Sequence, residues 1–149
     1  MTRRVNVRAI VFKDGKILAQ TFVTRSGGES DYWGTPGGGL DLGESLHAGL
    51  HREMIEETGI APKIGKLLFV QQFHDGIKEQ LEFFFHIQNP ADYHTIDLAA
   101  TTHGMQEIGR VEFIDPSAHN LLPAFLQTID IQAYIDSDLP VFVDNDLPA

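Results

Sequence analysis

The sequence contains no cysteine among its 149 residues. This absence excludes disulfide bonds, thiolate nucleophiles and cysteine-ligated metal sites. The sequence also lacks the run of about 18 or more apolar residues that a membrane-spanning helix needs. Asn6 and Arg8 interrupt the first apolar segment, MTRRVNVRAIVF, which therefore indicates a strand rather than a signal peptide. We expect a cytoplasmic protein with no membrane partner.

Basic residues are few, with 11 Lys and Arg against 21 Asp and Glu, and the formal net charge is −10. A protein this acidic is poorly suited to neutralise the phosphates of a nucleic-acid polymer over a broad patch. A small phosphorylated substrate is compatible with this charge if metal ions supply the positive counterpart. The length and the 42% hydrophobic content fit one globular domain over residues 1–149. We expect the acidic tail from about residue 139 to cover a neighbouring surface or to fray.

The order of apolar runs and turn signals predicts a mixed α/β fold. Segment 81–85, LEFFF, is too apolar for a strand with one wet face, so we expect both of its faces to be covered. The polar segment 89–106 is predicted to be irregular, and Pro123 is predicted to begin a helix that runs to about Ser137. Strands are predicted at 5–12, 17–23, 64–74, 78–87 and 107–114.

The stretch 37–60 begins with three glycines and continues into a predicted helix. Pro36 keeps the preceding residue out of helical geometry, so the chain reaches the glycines in an extended form. Ser45 is a suitable N-cap, and Gly59 is a suitable left-handed stop after Thr58. A helix between these two signals is therefore predicted.

Three glutamates crowd the end of this predicted helix. On a helix, Glu53, Glu56 and Glu57 lie within an arc of about 100°. Like charges at these spacings repel by roughly 0.2–0.5 kcal/mol per pair. A divalent cation with oxygen ligands would reverse that cost, so the pattern indicates a metal site.

The same stretch resembles the Nudix box, with nine constrained positions in agreement over 23 residues. The matching residues are Gly38, Glu44, Arg52, Glu53, Met54, Glu56, Glu57, Gly59 and Ile60. The chain thus resembles the Nudix (MutT-like) hydrolase family. The resemblance implies an α/β/α sandwich with a mixed β-sheet between helices, and the box helix and its glycine loop would form one wall of the active site.

This resemblance implies a Mg²⁺-dependent pyrophosphohydrolase, with Mn²⁺ as a possible substitute for Mg²⁺. The substrate would be a nucleoside triphosphate, or a nucleoside diphosphate linked to another group, attacked at phosphorus by water. A homodimer is expected because relatives commonly dimerise. The alternative is a nucleotide-binding sensor that keeps the fold without hydrolysing its ligand. A third activity on this fold, diphosphate isomerisation, needs a reactive cysteine that the chain lacks.

The family pattern also implies roles for individual residues. Glu56 and Glu57 would be direct metal ligands, and Glu53 would be either a ligand or the base that activates water. The backbone carbonyl of Gly38 would complete the metal shell. The catalytic set includes Arg52, which is expected to tie the helix to its loop through the supporting residue Glu44, because an arginine–carboxylate pair fixes orientation with two parallel bonds.

Other candidates lie outside the box. Many relatives add a further carboxylate, for which Glu107, Glu112 and Glu82 are available, and we favour Glu107, at the beginning of the last predicted strand. Arg8 and Arg25 are candidates for holding substrate phosphates, although each is more often simply a surface cation.

Substrate signatures are missing from the sequence after the box. About sixteen residues beyond Ile60 stands Asp75-Gly76-Ile77, without the proline or tyrosine that marks hydrolases of ADP-ribose or of diadenosine polyphosphates. The motifs of NADH-type and coenzyme A-type members are also not visible. A nucleotide therefore remains the expected substrate. The candidates for stacking its base are Phe73, Phe83 and Trp33, the last of which is better explained as a packing residue.

Overall fold

The computed structural model describes residues 2–98, 101 and 107–148. The strands and helices of the described residues follow in chain order. They are β1 Arg3–Ile10, β2 Phe12–Lys13, β3 Lys16–Phe22, β4 Gly37–Gly39, α1 Leu46–Thr58, β5 Ile64–His74, β6 Glu79–Ile87, a 3₁₀ turn at Pro90–His94, β7 Ile108–Ile114, a 3₁₀ turn at Ala124–Gln127, α2 Ile131–Asp136 and β8 Phe142–Asn145.

The strands form two sheets. The larger sheet has the order β4-β1-β6-β5-β8 and is mixed, because β1 runs parallel to β6 and antiparallel to β4. The smaller sheet has the order β2-β3-β7 and is antiparallel. Strand β4 therefore stands at one edge of the larger sheet, directly before the loop that leads into α1.

The core lies on both faces of the larger sheet. Adjacent residues of a strand point to opposite faces, and on β6 the fully buried Phe84 packs in one cluster with Ile131 of α2. Its neighbour Phe85 packs in the other cluster with Leu50 and Met54 of α1. The two helices thus contribute to opposite faces of the sheet, as the predicted sandwich requires, and segment 81–85 is covered on both sides as expected.

One expectation about the second half of the chain needs correction. The helix predicted from Pro123 is interrupted: Ala124–Gln127 is a 3₁₀ turn, and α2 begins only at Ile131. The Asp130 side chain accepts a hydrogen bond from Ala133 N at 3.1 Å, which caps a new helix at that point. The acidic tail lies against a neighbouring element, which is one of the two outcomes expected for it, because β8 pairs with β5 in parallel.

The remaining predicted elements match the described ones closely. Strands β5 and β6 form the antiparallel hairpin expected around Asp75-Gly76-Ile77. Within the irregular segment 89–106, the described part contains the 3₁₀ turn at Pro90–His94, while residues 99, 100 and 102–106 lie outside the described residues. No helix in the described part of the chain is long and apolar enough to cross a membrane.

Candidate active site

Helix α1 begins and ends at the residues that the sequence indicates. Ser45 adopts an extended conformation, and its side chain accepts a hydrogen bond from Ala48 N at 3.1 Å. Gly59 has a positive φ of 75°, and its N–H donates to Ile55 O at 3.0 Å. The two caps fix the length of α1 and with it the positions of the glutamates along the helix.

Strand β4 consists only of glycine because α1 and β1 approach its backbone closely. A Cβ atom on Gly38 would lie 2.8 Å from the carboxyl carbon of Glu53. A Cβ on Gly37, whose φ is 135°, would lie 2.0 Å from the carbonyl oxygen of Val7. Any side chain at these two positions would push the strand away from the helix or from β1. The glycines therefore bring the Glu53 carboxylate directly against the strand backbone.

Glu57 is the most deeply buried carboxyl group of the helix, with 6% of its surface exposed. Its Oε2 accepts a hydrogen bond from Gly37 N at 2.8 Å. Burial, against the lowering effect of that N–H and with a smaller contribution from the charge of Glu53, raises the pKa of Glu57 to about 8. The pKa of Glu53 is also raised, chiefly by burial, while Arg52 lowers it. Both carboxyl groups are thus poorly solvated.

Arg52 lies between the carboxyl groups of the loop and of the helix. Its Nη1 donates to Glu53 Oε1 at 3.0 Å and to Glu56 Oε2 at 3.2 Å, and its Nη2 donates to Gly39 O at 3.0 Å. Glu44 accepts two further bonds from the same guanidinium. These contacts raise the pKa of Arg52, with Glu44 as the largest cause. Arg52 therefore joins the loop, the glycine strand and the metal-ligand candidates.

The pKa of Glu44 changes in the opposite direction. Hydrogen bonds from Arg52, and next from the backbone N–H of Asp41, lower the pKa of Glu44 to about 2. This carboxylate is ionised at any physiological pH and is engaged by its arginine partner.

The donor set around β4 suits a hard divalent cation. Carboxylate and backbone carbonyl oxygens are the ligands that Mg²⁺ takes in proteins. Burial raises the pKa of both Glu53 and Glu57, and a bound cation would offset the cost of burying their negative charges. Within the described residues, no three acidic or imidazole groups already surround a common point. Arg52 occupies the space between Glu53 and Glu56, so these two side chains would have to adjust around a bound ion.

Arg8 does not present a free guanidinium to a substrate. Its Nη1 donates to Thr35 O at 3.3 Å and to Gly37 O at 3.2 Å, and its Nε donates to Glu82 Oε2 at 3.2 Å. Arg8 therefore fastens the glycine segment to strands β1 and β6. Arg25, the other candidate for holding phosphates, is exposed in the loop after β3. It lines neither of the two cavities beside the glycine strand.

A cavity of about 480 Å³ opens on the face of the larger sheet opposite α1. Asn6 and Arg8 point into it, because they alternate with Val7, which belongs to the core under α1. The three aromatic residues considered for stacking a base lie in different places. Phe73 lines the cavity, whereas Phe83 packs in the cluster under α1. Trp33 is 8% exposed in the core, with the Arg110 guanidinium 4.8 Å from its ring centre.

The three carboxylates considered outside the box lie in different places. Glu107 is exposed, immediately before β7. Glu112 pairs with Arg110 at 3.5 Å in the smaller sheet. Glu82 is buried and lines the cavity, joined through Arg8 to the glycine segment. The structure thus brings Glu82 to the neighbourhood of β4.

Sequence reasoning missed Arg4. The Arg4 guanidinium lies against the glycine strand, with Nη2 2.9 Å from where a Cβ on Gly39 would stand, and Arg4 lines both this cavity and a second one beside the Glu44 loop. Its backbone belongs to the β1–β6 ladder, but its guanidinium has no hydrogen bond or ion pair among the described residues. Alternation along β1 places Arg4 on the same face as Asn6 and Arg8, a signal that was available in the sequence.

Comparison with known proteins identifies similar chains. The family model of the NUDIX domain matches residues 2–128. No curated protein sequence matches the chain. The solution structure of the E. coli ORF135 protein is 25% identical, with a TM-score of 0.65 and 85% of each chain covered.

Two crystal structures show the same fold at lower identity. A MutT NUDIX hydrolase from Burkholderia pseudomallei is 22% identical, with a TM-score of 0.63, over 78% of this chain and 85% of that chain. An ADP-ribose pyrophosphatase from Streptococcus suis is 17% identical, with a TM-score of 0.66, over 97% of this chain and 100% of that chain.

Proposed function

The chain belongs to the NUDIX domain family, and from this premise we propose that it is a Mg²⁺-dependent pyrophosphohydrolase acting on a small nucleotide. The substrate would be a nucleoside triphosphate, or a nucleoside diphosphate joined to another group, attacked by water at phosphorus. One observation carries the proposal: the carboxyl groups of α1 pack against the bare strand β4. Glu57 accepts from Gly37 N at 2.8 Å, and Glu53 fills the space that a Cβ on Gly38 would need.

Glu56 and Glu57 would hold the Mg²⁺, or Mn²⁺ in its place, together with the carbonyl oxygen of Gly38, and Glu53 would be either a further ligand or the base that activates water. A bound metal supplies positive charge to the diphosphate and lowers the pKa of a bound water. Arg52 orients the side chains of Glu53 and Glu56, because its Nη1 donates a hydrogen bond to each of them. The contribution of the protein is then to keep these oxygens in place as the substrate binds.

The attacking water must lose a proton to a nearby base. Glu53 is our first choice, because its carboxylate is partly buried against β4 and burial raises its pKa. Of the carboxylates outside the box, Glu82 is better supported than Glu107. Glu82 reaches the glycine segment through Arg8, whereas Glu107 is exposed at the beginning of β7.

Arg4 would hold the non-reacting phosphates of the substrate. It is an unpaired cation beside Gly39, at the border between the glutamate-bearing side of β4 and the cavity. A chain with a net charge of −10 repels polyphosphates over most of its surface, so a cation at the mouth of the site is needed to attract them. The predictions of a cytoplasmic location and a homodimer are retained as part of this proposal.

Glu57→Gln tests the proposal directly. The amide oxygen of glutamine still accepts from Gly37 N, while the negative charge is lost, so turnover of a nucleotide panel should fall by about 100-fold or more. At neutral pH the metal-free variant should melt close to the wild type, because a Glu57 carboxyl group with a pKa of about 8 is already largely neutral there. Mg²⁺ should raise the melting temperature of the wild type but not that of the variant.

The matched control is Glu112→Gln, which changes an exposed carboxylate of the smaller sheet and should leave both turnover and the Mg²⁺ response at wild-type levels. Wild-type turnover by Glu57→Gln would contradict the proposal.

The alternative is a nucleotide-binding sensor that does not hydrolyse its ligand. It is favoured by the position of Arg52, which already neutralises Glu53 and Glu56 without a metal. A purified protein that binds nucleotides tightly, but releases no phosphate or nucleoside monophosphate with Mg²⁺ or Mn²⁺ across the panel, would support this alternative.

A further inference from the structure

A chain of hydrogen bonds with a carboxylate at each end runs along the wall of the cavity. Asp75 Oδ2 accepts from Gln80 Nε2 at 2.8 Å, and Gln80 Oε1 accepts from Asn6 Nδ2 at 2.7 Å. Asn6 Nδ2 also donates to Glu82 Oε2 at 3.2 Å. Ionised carboxylates only accept hydrogen bonds, so the amide groups of Gln80 and Asn6 must turn their nitrogen atoms toward them. The orientation of both amides is therefore fixed.

This fixed orientation leaves an unused acceptor on Asn6. Asn6 is 1% exposed, and its Oδ1 has no hydrogen-bond partner. Only four buried side-chain polar atoms lack a partner in the part of the chain that the structure describes. Two are on Gln20, beside Glu57, and the others are Asn6 Oδ1 and Thr35 Oγ1, both on residues that line the cavity. Buried polar atoms are rarely left unpaired, so this pair indicates a ligand.

The apolar part of the cavity suits a flat ring. The side chains of Phe22, Tyr32 and Phe73 line it, and the rings of Phe22 and Tyr32 lie 5.7 Å apart at 34°. A volume of about 480 Å³ is ample for a nucleobase and its sugar. A nucleotide with its phosphates at β4 and Arg4 would extend into this space.

We propose that the cavity binds the nucleobase of the substrate and that Asn6 selects bases with an exocyclic amino group, such as cytosine and adenine. The inference rests on the proposed function, which places the phosphates at β4. An amino group would donate to Asn6 Oδ1 and to the neighbouring carboxylate of Glu82. A keto oxygen at the same position, as in uracil or hypoxanthine, would meet acceptors only.

The nearest arginine to Glu82 does not offer a free donor for the keto bases. The Arg8 guanidinium, next to Glu82, already donates to that carboxylate and to two backbone carbonyls. The Thr35 hydroxyl either donates or accepts and so does not discriminate. Asn6 is therefore the residue that sets the preference, with Gln80 as the residue that positions its amide.

Matched substrate pairs test this selectivity. The pairs CTP/UTP and ATP/ITP differ in the amino or keto group, and kcat/KM should favour the amino member by about tenfold or more, as expected when a buried acceptor is left unpaired. Asn6→Leu should lower this ratio severalfold, because the Glu82 carboxylate is then the one of the two proposed acceptors that remains. Thr35→Val, a change of similar size in the same cavity, should keep the ratio.

A second variant tests the proposal independently of whether Asn6→Leu folds. Glu82→Gln has nearly the same shape and adds an N–H donor to the cavity wall, so it should lower the amino-to-keto ratio by admitting UTP and ITP. Unchanged ratios in both Asn6→Leu and Glu82→Gln would overturn the assignment.

A binding measurement separates this inference from the proposed hydrolysis. Calorimetry with α,β-methylene CTP and α,β-methylene UTP, in the presence of Mg²⁺, should show tighter binding of the cytosine analogue. Such a preference in a protein that releases no product would contradict the proposed hydrolysis while supporting base selection by Asn6. Equal dissociation constants, or no binding of either analogue, would overturn the inference even if turnover of other substrates is observed.

Discussion

Arg52 donates two parallel hydrogen bonds to Glu44, from Nε to Oε2 at 2.8 Å and from Nη2 to Oε1 at 2.9 Å. The pair joins helix α1 to the turn that precedes it. Because the same guanidinium also donates to Glu53 and Glu56, the orientation of the metal-ligand candidates depends on this contact. A planar fork with several donors is suited to such a role, whereas a single ammonium group is not.

Arg52→Lys should therefore damage the site while keeping its charge. Lysine cannot form the two parallel bonds to Glu44 and still reach the helix carboxylates, so we expect kcat/KM to fall by about 10- to 100-fold, with a lower melting temperature. The control is Arg3→Lys, which changes an exposed pair with Glu79 and should have little effect on either measurement. Equal behaviour of the two variants would contradict this role for Arg52.

Arg4→Gln should weaken substrate binding more than it slows the chemical step. If Arg4 contacts non-reacting phosphates, its removal should raise KM by about tenfold and leave kcat nearly unchanged. Added salt should weaken wild-type binding more than binding by the variant, because one charge contact is lost. Arg3→Gln is the matched control, because this neighbouring arginine is already paired with Glu79. A loss of kcat alone in Arg4→Gln would contradict phosphate binding.

Asp75 should make the stability of the protein depend on pH at the acidic end. Hydrogen bonds from the backbone N–H of Lys78, then from the Gln80 side chain and Ile77 N–H, lower the pKa of Asp75 to about 2 from an ordinary value of 3.8. A carboxyl group with a lowered pKa stabilises the folded state above pH 3.8, and this contribution is lost as pH falls toward 2.

Urea unfolding of the wild type and of Asp75→Asn between pH 6 and pH 2 measures this contribution. The advantage of the wild type should be constant at the upper end and should shrink below about pH 4. An advantage that stays the same down to pH 2 would show that the ionised carboxylate is not the source of the stability.

The box and its helix were predictable because their signals are local. Ser45 and Gly59 mark the two ends of α1 at the residues where the helix begins and stops. The family match confirms the predicted Nudix membership, and the fold of the structural neighbours agrees with the predicted mixed α/β sandwich. The single helix predicted from Pro123 to about Ser137 was wrong. Asp130 caps a separate helix that begins at Ile131, and this capping signal competes with the preference of proline for the start of a helix.

The roles of the residues outside the box were harder to predict from the sequence. Arg8, a candidate for holding substrate phosphates, donates to Glu82 and to carbonyls of the glycine segment, and its role toward a substrate stays an untested prediction. Arg4, which the sequence reading passed over, is the arginine without a partner among the described residues of this face. The preference for Glu107 as an extra carboxylate stays an untested prediction, while Glu82 lies in the cavity beside the site.

The sequence by itself determined the parts of this protein that depend on neighbours along the chain: the helix ends, the cluster of glutamates on α1 and the glycines beside them. Only the tertiary structure decided which groups line the cavity. Asn6 and Gln80 are 74 positions apart and meet because β1 pairs in parallel with β6. Strand pairing brings such distant residues together, and no spacing in a single sequence encodes which strands will become neighbours.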